Sequence, residues 1–294
     1  MDNTPINEHL ILLASFIPIA IVVGIFAWKR GFFRLSSKSA SNELLLSFWE
    51  VLGAFFIYFM VHFLIIPIVV MAVILFMTGS LFSFETMDAQ TQGWLNITTM
   101  VASLVAVVGY LWWLPCDRRR ILWGNGRTSL RRRGRDVLVG IGGLFVSYPF
   151  VMIIAHLMGV IVIVTLSPTK EEQVAVRYFK TTLEYPKLLW VTVISIVTVI
   201  PIIEELLFRG FLQTWLRRHL HQRMAIVISA FVFSAFHFSL TQSYSNIELL
   251  SSLFVLSCFL GFVYERQQSL IAPITLHMVF NAINIGIILF SSSE

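Results

Sequence analysis

The stretch LLWVTVISIVTVIPIIEELLF, Leu188 to Phe208, decides the fold. Its 21 residues match the roughly 20 apolar residues that a helix needs to cross a bilayer core of about 30 Å. Two adjacent carboxylates, Glu204 and Glu205, stand near its end. Ionisable groups in a lipid-spanning helix are costly and mark function by default. The run reads as a membrane helix that carries acid groups into the apolar layer.

The rest of the chain agrees. Its 294 residues are 57% hydrophobic and 13% charged, with a mean hydropathy of +0.82. Soluble domains carry about 25% charged residues. A disordered chain and an ordinary soluble enzyme are both excluded, and 26 Phe with 8 Trp call for lipid around them. Cys116 and Cys258 lie in separate segments and match no metal spacing or disulfide framework. There is no internal repeat and no low-complexity tract.

Seven further runs are long and apolar: Leu10–Trp28, Leu45–Met77, Leu95–Leu114, Val137–Leu166, Ala225–Leu240, Ile247–Tyr264 and Leu270–Phe290. The expected fold is an all-α polytopic membrane helix bundle of about eight transmembrane helices. The first run is preceded by Asp2 and Glu8 and by no Lys or Arg, so it reads as a span rather than a signal peptide. Leu45–Met77 is too long for one straight crossing, at about 50 Å. It is expected to start in the interface near Glu50 and to kink at Pro67, and a re-entrant pair is the alternative. Thr169–Tyr185 reads as an amphipathic interfacial helix or as an exposed loop.

Charge gives the orientation. Sixteen of the 21 Lys and Arg residues fall in alternate loops. Lys29, Arg30, Arg34 and Lys38 follow the first span. Arg118, Arg119, Arg120, Arg127, Arg131, Arg132, Arg133 and Arg135 follow the third. Arg217, Arg218 and Arg223 follow the fifth, and Arg266 follows the seventh. The opposite loops hold Lys170, Arg177, Lys180 and Lys187. The positive-inside rule then puts both termini outside the cytoplasm of a multi-pass cell-membrane protein. The Arg-rich loop is read as topological, touching membrane lipids rather than nucleic acid.

Few ionisable residues are read inside the spans: His62, His156, Glu204, Glu205, Arg209, His237 and His277, with Glu50 near an end, and the amide of Asn281 joins them. Glu205 and Arg209 are four apart and share a helix face, so they are expected to form a structural ion pair. Glu204 points about 100° away and is left without a local partner, which suits proton transfer. Phe233 and His237 repeat the four-residue spacing, as do His277 and Asn281. His62 and His156 read as hydrogen-bonding residues between helices. Counted from the basic ends at about 1.5 Å per residue, Glu204, His237, His277 and Asn281 lie at depths of about 20, 21, 12 and 18 Å. Helices running in alternating directions thus bring their polar groups to similar depth.

One carboxylate, two imidazoles and an amide suit hydrolysis by an activated water, with an oxyanion held by amide and imidazole. They equally suit a zinc site with Glu204, His237 and His277 as ligands and water as the fourth. No His-Glu-x-x-His motif is present.

Glu204-Glu205-Leu-Leu-Phe-Arg209, Phe233-x-x-x-His237 and His277-x-x-x-Asn281 resemble the motifs of the CPBP family, the type II CAAX prenyl protease-like, bacteriocin-processing and abortive-infection proteins. Pro201-Ile-Ile before the first motif, Arg209-Gly210-Phe211 within it, and Gly261-Phe-Val-Tyr264-Glu265-Arg266 with Ala272-Pro273 before the third are similar too. The resemblance covers about residues 190–285. It divides the chain into N-terminal transmembrane helices with the Arg-rich loop, 1–185, and catalytic transmembrane helices, 186–294, of one integral membrane domain. It implies an intramembrane endopeptidase acting on membrane-associated protein or peptide substrates. Glu204 would be the general base, His237 would help activate the water, and His277 and Asn281 would hold the oxyanion. Glu205 and Arg209 would brace the site, with Phe233 in support. The family has been described both as glutamic and as metallopeptidases. The expectation is a glutamic mechanism with no cofactor, and zinc is the alternative. The competing class is a non-catalytic membrane immunity or scaffold protein, or a transporter using Glu204 and the histidines as a proton relay.

Overall fold

The computed structural model describes residues 4–35, 46–79, 87–123, 129–166 and 173–291. Among them there is no strand. The helices are α1 (Thr4–Lys29), α2 (Phe48–Phe59), α3 (Ile66–Thr78), α4 (Ala89–Trp113), α5 (Cys116–Trp123), α6 (Leu130–Leu166), α7 (Val174–Thr181), α8 (Pro186–Ile194), α9 (Ile200–Glu205), α10 (Thr214–His219), α11 (Gln222–Ala235), α12 (Ser245–Gln267) and α13 (Ile271–Ser291). Among the described residues seven rods are long and apolar enough to cross a membrane, and α11 is a shorter apolar helix of 14 residues. The protein is a multi-pass membrane bundle of helices.

Boundaries differ from the sequence reading for local reasons. Phe48–Met77 is one continuous helical rod rather than a re-entrant pair. Its start is a capping box, in which the Ser47 amide donates to Glu50 and the Glu50 amide to the Ser47 hydroxyl. Pro67 is accommodated by the π-helical turn Met60–Ile65 just before it. A proline ring clashes with the carbonyl four residues back and offers no N–H, and a wider turn relieves both problems. The same device precedes Pro201, where Ser195–Val199 is a π turn. The rod containing Pro201 runs from Pro186 to His219, well past the expected end at Phe208. A third π segment, Leu206–Gln213, joins α9 to α10. The sixth span stops early. Helix α11 ends at Ala235 instead of continuing to Leu240. Of the two readings of Thr169–Tyr185, a helix is present in the described part, as α7, with Phe179 buried. Residues 167–172 lie outside the described residues.

Two apolar clusters hold the bundle. One joins α2, α4, the long rod and α11 through Val51, Leu111, Ile203, Leu207, Phe211 and Phe233. The other joins α1, α6, α12 and α13 through Ala27, Leu144, Leu256, Leu260 and Leu276. Leu253 packs against both. Lipid offers no hydrophobic drive between helices, so close packing of small residues carries the association. At Gly140 an added Cβ would lie 2.5 Å from the Ala272 carbonyl oxygen, so only glycine lets α6 approach α13 this closely.

The basic ends gather at one end of the bundle. Arg118 pairs with Glu50 at 3.6 Å, and Arg132 donates to the Gln267 carbonyl at 3.4 Å. Arg217 pairs with Glu265 at 3.4 Å, and Arg266 lies over the Phe32 ring. The described ends of the four basic connections are therefore neighbours in space.

Candidate active site

The site begins in the long rod. Glu204 and Glu205 close helix α9, directly before the Leu206–Gln213 π segment. That segment leaves carbonyls in need of donors, and hydroxyls from elsewhere supply them. Ser229 donates to the Phe208 carbonyl at 3.0 Å, and Thr214 to the Arg209 carbonyl at 3.1 Å. π turns of this kind recur at functional sites.

Glu205 is fully buried, at 0% side-chain exposure, as is Arg209. Arg209 Nη1 donates to Glu205 Oε1 at 3.0 Å. Its Nη2 donates to the Ser257 hydroxyl at 2.5 Å and the Ser257 carbonyl at 3.1 Å. The guanidinium sits 4.7 Å from the centroid of Phe233. Every element of this clamp is buried within the bundle, where a lone charge would be expensive. Glu205 Oε1 also accepts from His277 Nδ1 at 2.9 Å.

Glu204 is different. Its side chain keeps 20% exposure, and its two oxygens face two imidazoles. Oε1 lies 3.6 Å from His237 Nε2, and Oε2 lies 3.6 Å from His277 Nε2. Both distances exceed a direct hydrogen bond and leave the carboxylate free for a third party. Phe233 lies between the two rings, at 4.9 Å from His237 and 6.1 Å from His277.

The partners of each Nδ1 set the tautomers. A carboxylate and a carbonyl only accept. His277 Nδ1 faces Glu205, so it carries a proton. His237 Nδ1 lies 2.9 Å from the Phe233 carbonyl and carries one as well. Here the local fold explains the geometry. Helix α11 stops at Ala235, and the His237 amide turns to the Ser234 carbonyl. The Phe233 carbonyl has lost its helical donor, and the His237 ring replaces it. The side chain that caps the helix is thereby aimed at Glu204.

Asn281 Nδ2 donates to the Ile196 carbonyl at 2.9 Å, a partner that the His277-x-x-x-Asn281 spacing does not reveal. Glu204, Glu205, Arg209, Phe233, His237, His277 and Asn281 thus converge from α9, the π segment, the end of α11 and α13. Glu50, His62 and His156 do not join them. Glu50 caps α2, His62 Nδ1 lies 3.2 Å from the Ser103 hydroxyl, and His156 Nδ1 lies 3.1 Å from His9 Nδ1.

Three contributors escaped the sequence reading. Ser257 is an ordinary helix residue until Arg209 reaches it. Tyr58 of α2 packs against the apolar cluster that contains Ile203 and Phe233. Gln213 donates to the Gly261 carbonyl at 3.0 Å and to Glu265 at 3.1 Å, locking the long rod to α12. For the last, the Gly261-to-Arg266 motif was a signal, since an added Cβ at Gly261 would lie 2.6 Å from Gln213 Oε1.

Free Nε2 atoms with anchored Nδ1 atoms are also the form of metal-ligating histidines. Among the described residues, however, no three His, Cys, Asp or Glu side chains are grouped to hold an ion.

Residues 186–283 match the family model described as Rce1-like, type II CAAX prenyl endopeptidase Rce1-like. This segment is similar to that family, and it contains the three motifs that carry the resemblance. The match supports a CAAX protease-like peptidase in the membrane. Comparison with curated proteins found no match, and comparison with solved structures found none.

Proposed function

We propose that the protein is an intramembrane endopeptidase that cleaves peptide bonds of membrane-associated proteins or peptides with a water activated by Glu204. One observation carries the reading. Of two adjacent glutamates, one is fully buried and held through Oε1 by Arg209 and His277, while the other faces two Nε2 atoms at 3.6 Å and remains partly open.

The chemistry follows from the hydrogen-bond directions. Water placed between Glu204 and His237 gives one hydrogen to the carboxylate and the other to the His237 Nε2 lone pair. Its oxygen attacks the scissile carbonyl carbon as Glu204 takes the proton. In this step His277, whose Nδ1–H is held by Glu205, acts as the imidazolium. Its Nε2–H is then the donor for the oxyanion. Collapse of the tetrahedral intermediate breaks the C–N bond, and the proton on Glu204 passes to the leaving amine. One water is consumed, and a carboxylic acid and an amine leave. The Glu205–Arg209–Ser257 clamp holds His277 in register.

The gathered basic ends support a topology with those loops in the cytoplasm and both termini outside it. The test of function is a comparison of membrane-derived peptides in cells carrying wild-type protein or Glu204→Gln. Peptides that require wild-type protein are products and identify the substrate. Identical peptide sets with equal protein levels would overturn the reading.

A further inference from the structure

We infer that Asn281 is a positioning residue: it caps a carbonyl orphaned by Pro201 and so holds the helix that carries Glu204. The inference rests on Glu204 as the base and departs from the oxyanion role that the motif resemblance assigns to Asn281.

The backbone bookkeeping is specific. In the Ser195–Val199 π turn, the Ile200 amide reaches back five residues to the Ser195 carbonyl. In that register the Ile196 carbonyl should accept from residue 201. Residue 201 is proline and has no N–H. The Ile196 carbonyl is left without that backbone donor in a membrane-spanning rod, where an unsatisfied carbonyl is costly. Asn281 Nδ2 fills the gap at 2.9 Å. The amide orientation is set by chemistry, since a carbonyl only accepts. The bond ties α13, which carries His277, to the π turn about two helical turns before Glu204. One side chain thereby sets the spacing between the proposed base and the proposed oxyanion donor. Misplacement of a reacting group by about 1 Å costs on the order of 100-fold in rate.

The test is a rescue. Product-peptide accumulation is measured in cells for wild type, Asn281→Ala, Pro201→Ala and Pro201→Ala/Asn281→Ala, with Glu204→Gln defining the products. Asn281→Ala should lose about 10- to 100-fold. Pro201→Ala returns an N–H to position 201, so the double variant should fall within about threefold of Pro201→Ala alone. An oxyanion donor would instead be missed equally in both backgrounds, and equal losses overturn the inference. A second measurement stands without activity: hydrogen exchange over residues 195–206 of the purified full-length protein. Asn281→Ala should speed exchange there, and adding Pro201→Ala should restore protection. Unchanged exchange in Asn281→Ala would also overturn the inference. If wild type and Glu204→Gln release the same peptides, the proposed function fails, and the exchange data still judge the cap.

Discussion

Replacing Glu205 with alanine separates the two glutamates most sharply. The substitution leaves Arg209 fully buried without its 3.0 Å partner and removes the acceptor for His277 Nδ1. Breaking a buried pair by deleting one member costs about 3–5 kcal/mol. Arg209 keeps Ser257 and the Phe233 ring, which holds the loss within that range. At about 2 °C per kcal/mol for a long chain, the melting temperature should fall by about 6–10 °C. Glu204→Gln has a different expectation. It preserves shape and removes no direct hydrogen bond, since both Nε2 contacts are 3.6 Å. It should melt within about 2 °C of wild type and be inactive. The assay is intrinsic-fluorescence melting in detergent, paired with product-peptide accumulation in cells. Glu205→Ala/Arg209→Met should recover much of the lost stability, because an apolar replacement of a buried pair is often neutral. Matching melting temperatures for the two single variants would refute the division into clamp and base.

Three further outcomes follow from the same geometry. Ser129→Cys, at an exposed position before α6, should resist impermeant thiol reagents in intact cells and react after lysis; strong labelling in intact cells would reverse the proposed orientation. Purified active protein should lack stoichiometric zinc and keep its activity through exhaustive chelation; one zinc per chain, with activity lost and restored by zinc, would replace the glutamic mechanism with a metal one. Gly261→Ala would place a methyl carbon 2.6 Å from Gln213 Oε1 and loosen the lock between the long rod and α12, costing about 1–3 kcal/mol, while a melting temperature equal to wild type would show that the approach is not constrained.

The class of fold was legible in the sequence because lipid imposes a simple rule. A spanning segment must satisfy its own backbone and be apolar over about 30 Å, and runs such as Leu188–Phe208 record that directly. The pairing of Glu205 with Arg209 was legible for a related reason, since four residues make about one helical turn. The alternation of basic loops predicted which connections are neighbours, and the contacts of Arg118, Arg132 and Arg217 show them together. Other features depend on residues far apart in the chain and left no local trace. The early end of α11 leaves the Phe233 carbonyl to the His237 ring, and apolar periodicity carries no sign of that exchange. The partner of Asn281 is decided by a π turn and a proline 80 residues upstream. The anchoring of Arg209 by Ser257 joins two rods whose register the sequence does not encode locally. Helical periodicity says which residues share a face; only the packed bundle decides which face meets which, and that choice sets the 3.6 Å gaps around Glu204.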